Sequence, residues 1–106
     1  MVKQYEIYWI SLDPTVGSEI KKTRPCLIIS PDVSNQLLNT VLVAPITSTL
    51  WKFPMRMPVV LENKNGQIAF DQIRCIDKRR IGRKISKLEP SEEKIAKGIL
   101  KEYLID

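Results

Sequence analysis

The sequence contains no histidine. That removes the side chain best suited to proton transfer at neutral pH, and with it every histidine-based metal site. Cysteine is scarce: Cys26 and Cys75 lie far apart, without C-x-x-C spacing. Each sits in an apolar run, so each is expected to be a small buried thiol rather than half of a disulfide. Asp and Glu form no cluster with metal-ligand spacing, so neither a metal nor another cofactor is expected. Long hydrophobic runs are missing too. "CLII", "VLVAPI" and "MPVVL" are far too short to span a bilayer, and "MVKQYEIYWISL" lacks the small-residue cleavage site of a secretory signal. The expected setting is the cytoplasm, away from any membrane.

Repeats, low-complexity stretches and linkers are also absent. A chain of 106 residues is then expected to form a single domain, residues 1–106, with a modest core. What is abundant is positive charge. Seventeen Lys and Arg against twelve Asp and Glu leave a net +5, which on so small a chain favours an anionic partner, nucleic acid first. The charge is uneven: "KKTR" (21–24) carries three cations and "DKRRIGRKISK" (77–87) carries six. The second run reads first as a solvated face, with nucleic-acid contact as the alternative.

The order of elements is several short strands and then one helix. "YEIYWISL" (5–12), rich in Tyr, Ile and Trp, predicts a first strand. "DPTVGSEIKKT" (13–23) is turn chemistry, and "PCLIIS" (25–30) is a second strand. Proline has no N–H and a fixed φ, so Arg24 is placed where a charged loop meets a buried strand. "PDVSNQLLN" (31–39) predicts a loop with at most one helical turn. "TVLVAPI" (40–46) is a nearly continuous β-branched run and reads as a strand buried on both faces, with Pro45 arguing for a bulge or an edge near its end. After the loop "TSTLWKFPM" (47–55), "RMPVVL" and "GQIAFDQIRCI" supply further strands, with the turn at the Asn-Gly of "ENKNG". "RKISKL" is a last short strand. From Pro90 the period becomes helical: Ile95, Ala96, Ile99, Leu100, Tyr103 and Leu104 make one apolar stripe, and Glu92 and Glu93 suit the first turn. The fold class expected is mainly β: a small SH3-like barrel of strongly bent antiparallel strands with a C-terminal amphipathic helix.

Four segments, "IYWISLDPTVGSE", "TRPCLIIS", "TVLVAPITS" and "AFDQIRCIDKRRI", resemble in order and spacing the MazF/PemK toxins of bacterial toxin–antitoxin modules. The likeness covers about residues 5–88. It implies a homodimer, a metal-independent endoribonuclease that cuts single-stranded RNA at a short sequence, and a cognate antitoxin with an acidic tail. It assigns catalysis to Arg24 and Thr47, and carries Glu19, Asp71 and Gln72 over as residues of the RNA groove. Ser18, Ser48 and Lys52, which lie beside the matched positions or in the loop that follows them, are expected to bind substrate with them. Ile20 and Lys22 stand where many relatives have Gln and Gly. Ser18 and Ala69 replace a histidine and an arginine of the PemK branch, so the chemistry implied is of the Arg/Thr type.

That chemistry is attack of a ribose 2′-OH on the adjacent phosphate, giving a 2′,3′-cyclic phosphate and a 5′-OH. The planar fork of Arg24 suits the charge of the phosphorane, and Thr47 can donate a hydroxyl hydrogen bond to the same group. An arginine has no lone pair to act as base. Glu19 can take the proton or read a nucleobase, and base reading is the favoured of the two. Trp51 and Phe53, flanking Lys52, suit RNA stacking as well as they suit covering the barrel's end or a dimer interface. The rival readings are a non-catalytic nucleic-acid-binding barrel and, further off, a gyrase-poisoning toxin of the same fold. The latter's C-terminal tryptophan is missing from "EYLID".

Overall fold

The computed structural model describes residues 1–20 and 22–106. Seven antiparallel strands curl into one sheet: β1 (Glu6–Ser11), β2 (Thr23–Ile28), β3 (Thr40–Thr47), β4 (Arg56–Leu61), β5 (Lys64–Ala69), β6 (Arg74–Asp77) and β7 (Ile81–Lys87). The order across the sheet is β4-β5-β3-β2-β1-β7, with β6 added beside β3. Among the described residues two α-helices join the sheet: α1 (Asp32–Leu37), one short piece inside the 31–39 loop, and α2 (Pro90–Leu104). This is the bent barrel with a terminal helix that the sequence predicts.

The centre of the sheet is buried on both sides, because alternate residues of a strand point to opposite faces. Leu27, Ala44 and Ile46 join the larger core with Ile7, Phe70 and Ala96. Cys26, Ile28, Val41 and Val43 join a second core with Ile10, Leu12 and Ile76. β3 is therefore doubly buried as expected, except at Leu42, which is exposed. Pro45 is neither a bulge nor an outer edge. It marks where β3 changes partner, from β6 at Thr40–Val43 to β5 at Ile46–Thr47. A residue without an N–H is tolerated at that break in the ladder.

Three further expectations are corrected. "GQIAFDQIRCI" is not one strand: a 3₁₀ turn at Phe70–Gln72 divides it, because the same segment must serve both halves of β3. Cys75 is exposed rather than buried. It pairs across the ladder with Leu42, another exposed residue, while the adjacent Ile76 and Val41 point inward. The β4–β5 turn is not at Asn65–Gly66 but at Glu62–Asn63, both with positive φ (48° and 65°). Gly66 is needed elsewhere: a Cβ there would lie 3.1 Å from the Thr47 carbonyl oxygen and 3.3 Å from Ile46 Cγ2. Close approach to β3 thus outweighs the local preference of Asn-Gly for a turn.

Helix α2 begins with Pro90 in its first turn, and the Glu92 carboxylate accepts the Glu89 N–H at 2.9 Å. The apolar stripe is only partly used. Ala96, Ile99 and Leu100 pack on the larger core, whereas Ile95, Tyr103 and Leu104 are exposed. No helix among the described residues is long and apolar enough to cross a membrane.

The β1–β7 contact carries a charge cluster. Glu6 accepts bonds from Lys84 Nζ (2.6 Å), the Lys3 N–H (2.8 Å) and the Tyr8 hydroxyl (3.0 Å). Burial alone would raise the Glu6 carboxyl, but these partners together hold it below the usual range. Tyr8 is pushed up to about 12, by burial and by the Glu6 charge. A carboxyl depressed in the folded state contributes stability above its unfolded pKa and loses it as pH falls through the folded value. Glu6→Gln should therefore cost about 1 kcal/mol at pH 7. Denaturant titrations should show that gap closing below the ordinary carboxylate range of about 4.

Candidate active site

The β2–β3 ladder runs from Ile28–Val43 to Cys26–Pro45 and stops there. Two prolines explain the stop, since Pro25 and Pro45 have no N–H to carry it further. Continued two residues, the same register would set Arg24 opposite Thr47. Here β2 stays with β1, where Arg24 faces Ile10, while β3 turns to β5, where Thr47 faces Gln67. A cleft of about 260 Å³ is lined by Arg24, Pro25, Ile46, Thr47 and Ser48. Trp9, Val59, Leu61 and Ile85 add apolar wall, and Glu62, Lys64, Asn65 and Gly66 of the β4–β5 hairpin complete it.

Arg24 is a half-buried strand residue rather than a loop charge at a strand mouth. Thr47 ends β3, and its Oγ1 accepts the Thr49 N–H at 3.1 Å. That bond occupies a lone pair and leaves the hydroxyl hydrogen to be donated elsewhere. Cys26, two residues beyond Arg24, is pushed up to about 12 by burial and so stays a thiol at neutral pH.

The other residues assigned from the sequence lie elsewhere. Ser18, Glu19, Asp71 and Gln72 line a second cleft of about 380 Å³ with Pro45 and Arg74. Pro45 borders this cleft and the adjacent Ile46 the first, so β3 stands between the two. Gln72 shapes it: its Oε1 accepts the Ile20 N–H at 2.8 Å and its Nε2 reaches the Ser18 carbonyl at 3.4 Å. Glu19 accepts the Val16 N–H at 2.5 Å. Asp71 is held by Arg56, Nε to Oδ1 at 2.6 Å and Nη2 to Oδ2 at 3.0 Å. Lys52 is exposed and lines neither cleft.

Much of the 77–87 cation run is engaged within the chain. Arg79 pairs with Asp77, Arg83 with Glu62 and Lys84 with Glu6. Arg80 donates to the carbonyls of Ser11 and Asp13. Sequence reasoning missed Glu62, Lys64 and Asn65, because "ENKNG" reads only as a turn and its cleft face depends on the register that Gly66 sets.

Residues 3–104 match the family model described as PemK-like, MazF-like toxin of type II toxin–antitoxin system. The chain is 36% identical over 95 residues to endoribonuclease EndoA of Bacillus subtilis (strain 168), covering 84% of this chain and 82% of that protein. Among solved structures, Mycobacterium tuberculosis toxin MazF-mt6 superposes with a TM-score of 0.79 at 28% identity, covering 92% and 93% of the two chains. An endoribonuclease in complex with its cognate antitoxin, from a mycobacterial species, gives a TM-score of 0.83 over 98% and 95% of the chains. At 18% identity that likeness speaks for the fold alone. With the match running nearly end to end over a barrel whose split ladder exposes Arg24 and Thr47, the chain belongs to the PemK-like, MazF-like toxins of type II toxin–antitoxin systems.

Proposed function

We propose that this toxin is an endoribonuclease that cuts single-stranded RNA at a short motif without a metal, leaving a 2′,3′-cyclic phosphate and a 5′-OH. The observation that carries the reading is the meeting of Arg24 and Thr47 in one cleft where the β2–β3 ladder stops. The cleft's polar groups are a guanidinium, an ammonium, two hydroxyls, an amide and the Glu62 carboxylate. That set suits a phosphate better than a metal ion, which would want several anionic ligands. Arg24 binds the scissile phosphate and stabilises the charge that builds on it, and Thr47 donates its hydroxyl hydrogen to the same oxygens. Glu62 and Lys64 line the same cleft and are the groups there that can exchange a proton with the 2′-OH and with the departing 5′-oxygen.

Glu19 shares a cleft with Asp71 and Gln72 and not with Arg24 and Thr47, which favours base reading over catalysis for it. Ser18, Ser48, Lys52 and Gln72 contact the strand on either side. Residues 1–106 act as one toxin domain in the cytoplasm, as a homodimer that covers part of the exposed apolar surface. A cognate antitoxin with an acidic tail inhibits by occupying the cations that would hold RNA phosphates.

Incubated with single-stranded RNA in EDTA, the protein should produce new ends that polynucleotide kinase labels without prior phosphatase treatment. A strict need for Mg²⁺, or 5′-phosphate ends, would sink the mechanism. RNA binding with no new ends would make it a non-catalytic barrel. Duplex RNA should resist, since its bases stay stacked and out of reach.

A further inference from the structure

The loop that leaves Thr47 carries two exposed aromatic rings held with unusual firmness. Trp51 and Phe53 are 54% and 36% exposed, yet they stack in parallel, with centroids 4.8 Å apart and planes 7° from coplanar. Gln67, nearly buried and paired with Thr47 across the β3–β5 ladder, grips the Trp51 backbone with both ends of its amide. Its Oε1 accepts the Trp51 N–H at 2.9 Å, and its Nε2 donates to the Trp51 carbonyl at 3.0 Å. The Arg56 guanidinium lies 5.2 Å from the centre of the Trp51 ring and is itself fixed by both Asp71 oxygens. The Arg56 N–H also closes the loop onto the Phe53 carbonyl at 3.0 Å.

We propose that the Trp51–Phe53 pair is a preformed stacking platform for one unpaired base of an RNA strand whose scissile phosphate lies in the Arg24–Thr47 cleft. The proposal rests on the endoribonuclease reading and adds a binding site to it. Three residues separate Thr47 from Trp51, so their Cα atoms lie within about 14 Å of each other. A base is the occupant favoured over a protein side chain for two reasons. Parallel rings present a flat π face, the geometry of base stacking, where an aliphatic anchor would need a pocket. Lys52, exposed between the two rings in sequence, also supplies a cation that matches the phosphates of a nucleic-acid strand. Because every base has a π face, the platform strengthens binding with little sequence preference of its own. Gln67, Arg56 and Asp71 act as positioning residues, holding the rings so that little order is lost when the base arrives.

The test is binding, by fluorescence anisotropy, of a single-stranded oligonucleotide made uncleavable by a 2′-deoxyribose at the cut site. Trp51→Ala should weaken it by about 5- to 150-fold, and Trp51→Phe should restore most of the loss. An abasic site at one position beside the cut should weaken binding to the wild type but add nothing in Trp51→Ala. Gln67→Met, which removes both backbone bonds, should weaken binding in the same direction. Circular dichroism melts identify any variant that fails to fold, and Trp51→Phe then carries the comparison. Unchanged affinity in Trp51→Ala, or abasic penalties equal in wild type and variant at every position, would overturn the platform while cleavage by the wild type leaves the enzyme reading intact. Loss of affinity for an acidic peptide alone would also overturn it, in favour of a protein partner. Coupling between Trp51 and one base in a wild type that cuts no RNA would uphold the platform and refute the enzyme reading.

Discussion

Arg24→Ala is expected to slow RNA cleavage by about 10²–10³-fold at saturating substrate, the usual loss when one preorganised donor is removed from a developing charge. Arg24→Lys should recover only part of this. An ammonium restores the charge but not the two parallel N–H bonds that a phosphate accepts from a guanidinium. Thr47→Val, which keeps the shape and removes the hydroxyl, should lower the rate constant more than it weakens binding. Single-turnover kinetics with excess enzyme separate the two effects. Melting temperatures measured beside the kinetics separate a loss of chemistry from a loss of folding. A variant that cuts within threefold of the wild type would remove Arg24 from the mechanism.

Asp71→Ala should destabilise the fold by about 3–5 kcal/mol, as breaking a buried charge pair does. The Arg56 side chain is 8% exposed and Asp71 18%, and the pair is bidentate. Removing the carboxylate leaves a nearly buried guanidinium beside the Trp51 ring without the anion that satisfies it. Arg56→Met in the same chain should return most of the stability, since an apolar side chain of similar length has no charge to strand. Urea titrations of the two single variants and the double variant measure the coupling directly. A cost below about 1 kcal/mol would place Asp71 with ordinary surface pairs and leave it available to RNA.

The sequence by itself determined the parts of this protein that depend on local pattern. A short apolar run made β2 a strand and a nearly continuous β-branched run made β3 one, and Pro90 with the helical period after it began α2. The resemblance carried by "TRPCLIIS" and "TVLVAPITS" singled out Arg24 and Thr47, which line one cleft. Only the tertiary structure decided how those elements register. Asn65–Gly66 has the local chemistry of a hairpin turn, but Gly66 is held against the Thr47 carbonyl, so the turn falls at Glu62–Asn63 and brings Glu62 and Lys64 to the cleft. Cys75 sits in an apolar run, but its place opposite Leu42 turns it outward. Of the substrate-binding residues assigned together, Ser48 lines one cleft, Ser18, Glu19, Asp71 and Gln72 line the other and Lys52 lines neither; the 3₁₀ turn at Phe70–Gln72 carries Asp71 and Gln72 to the far side of β3. Trp51 and Phe53 stayed undecided between stacking RNA and covering apolar surface, since their rigidity comes from Gln67 and Asp71, 16 and 20 positions beyond Trp51 in the chain. Periodicity and turn chemistry act over a few residues, whereas close backbone approach, ion pairing and clefts between strands depend on partners that only the folded sheet brings together.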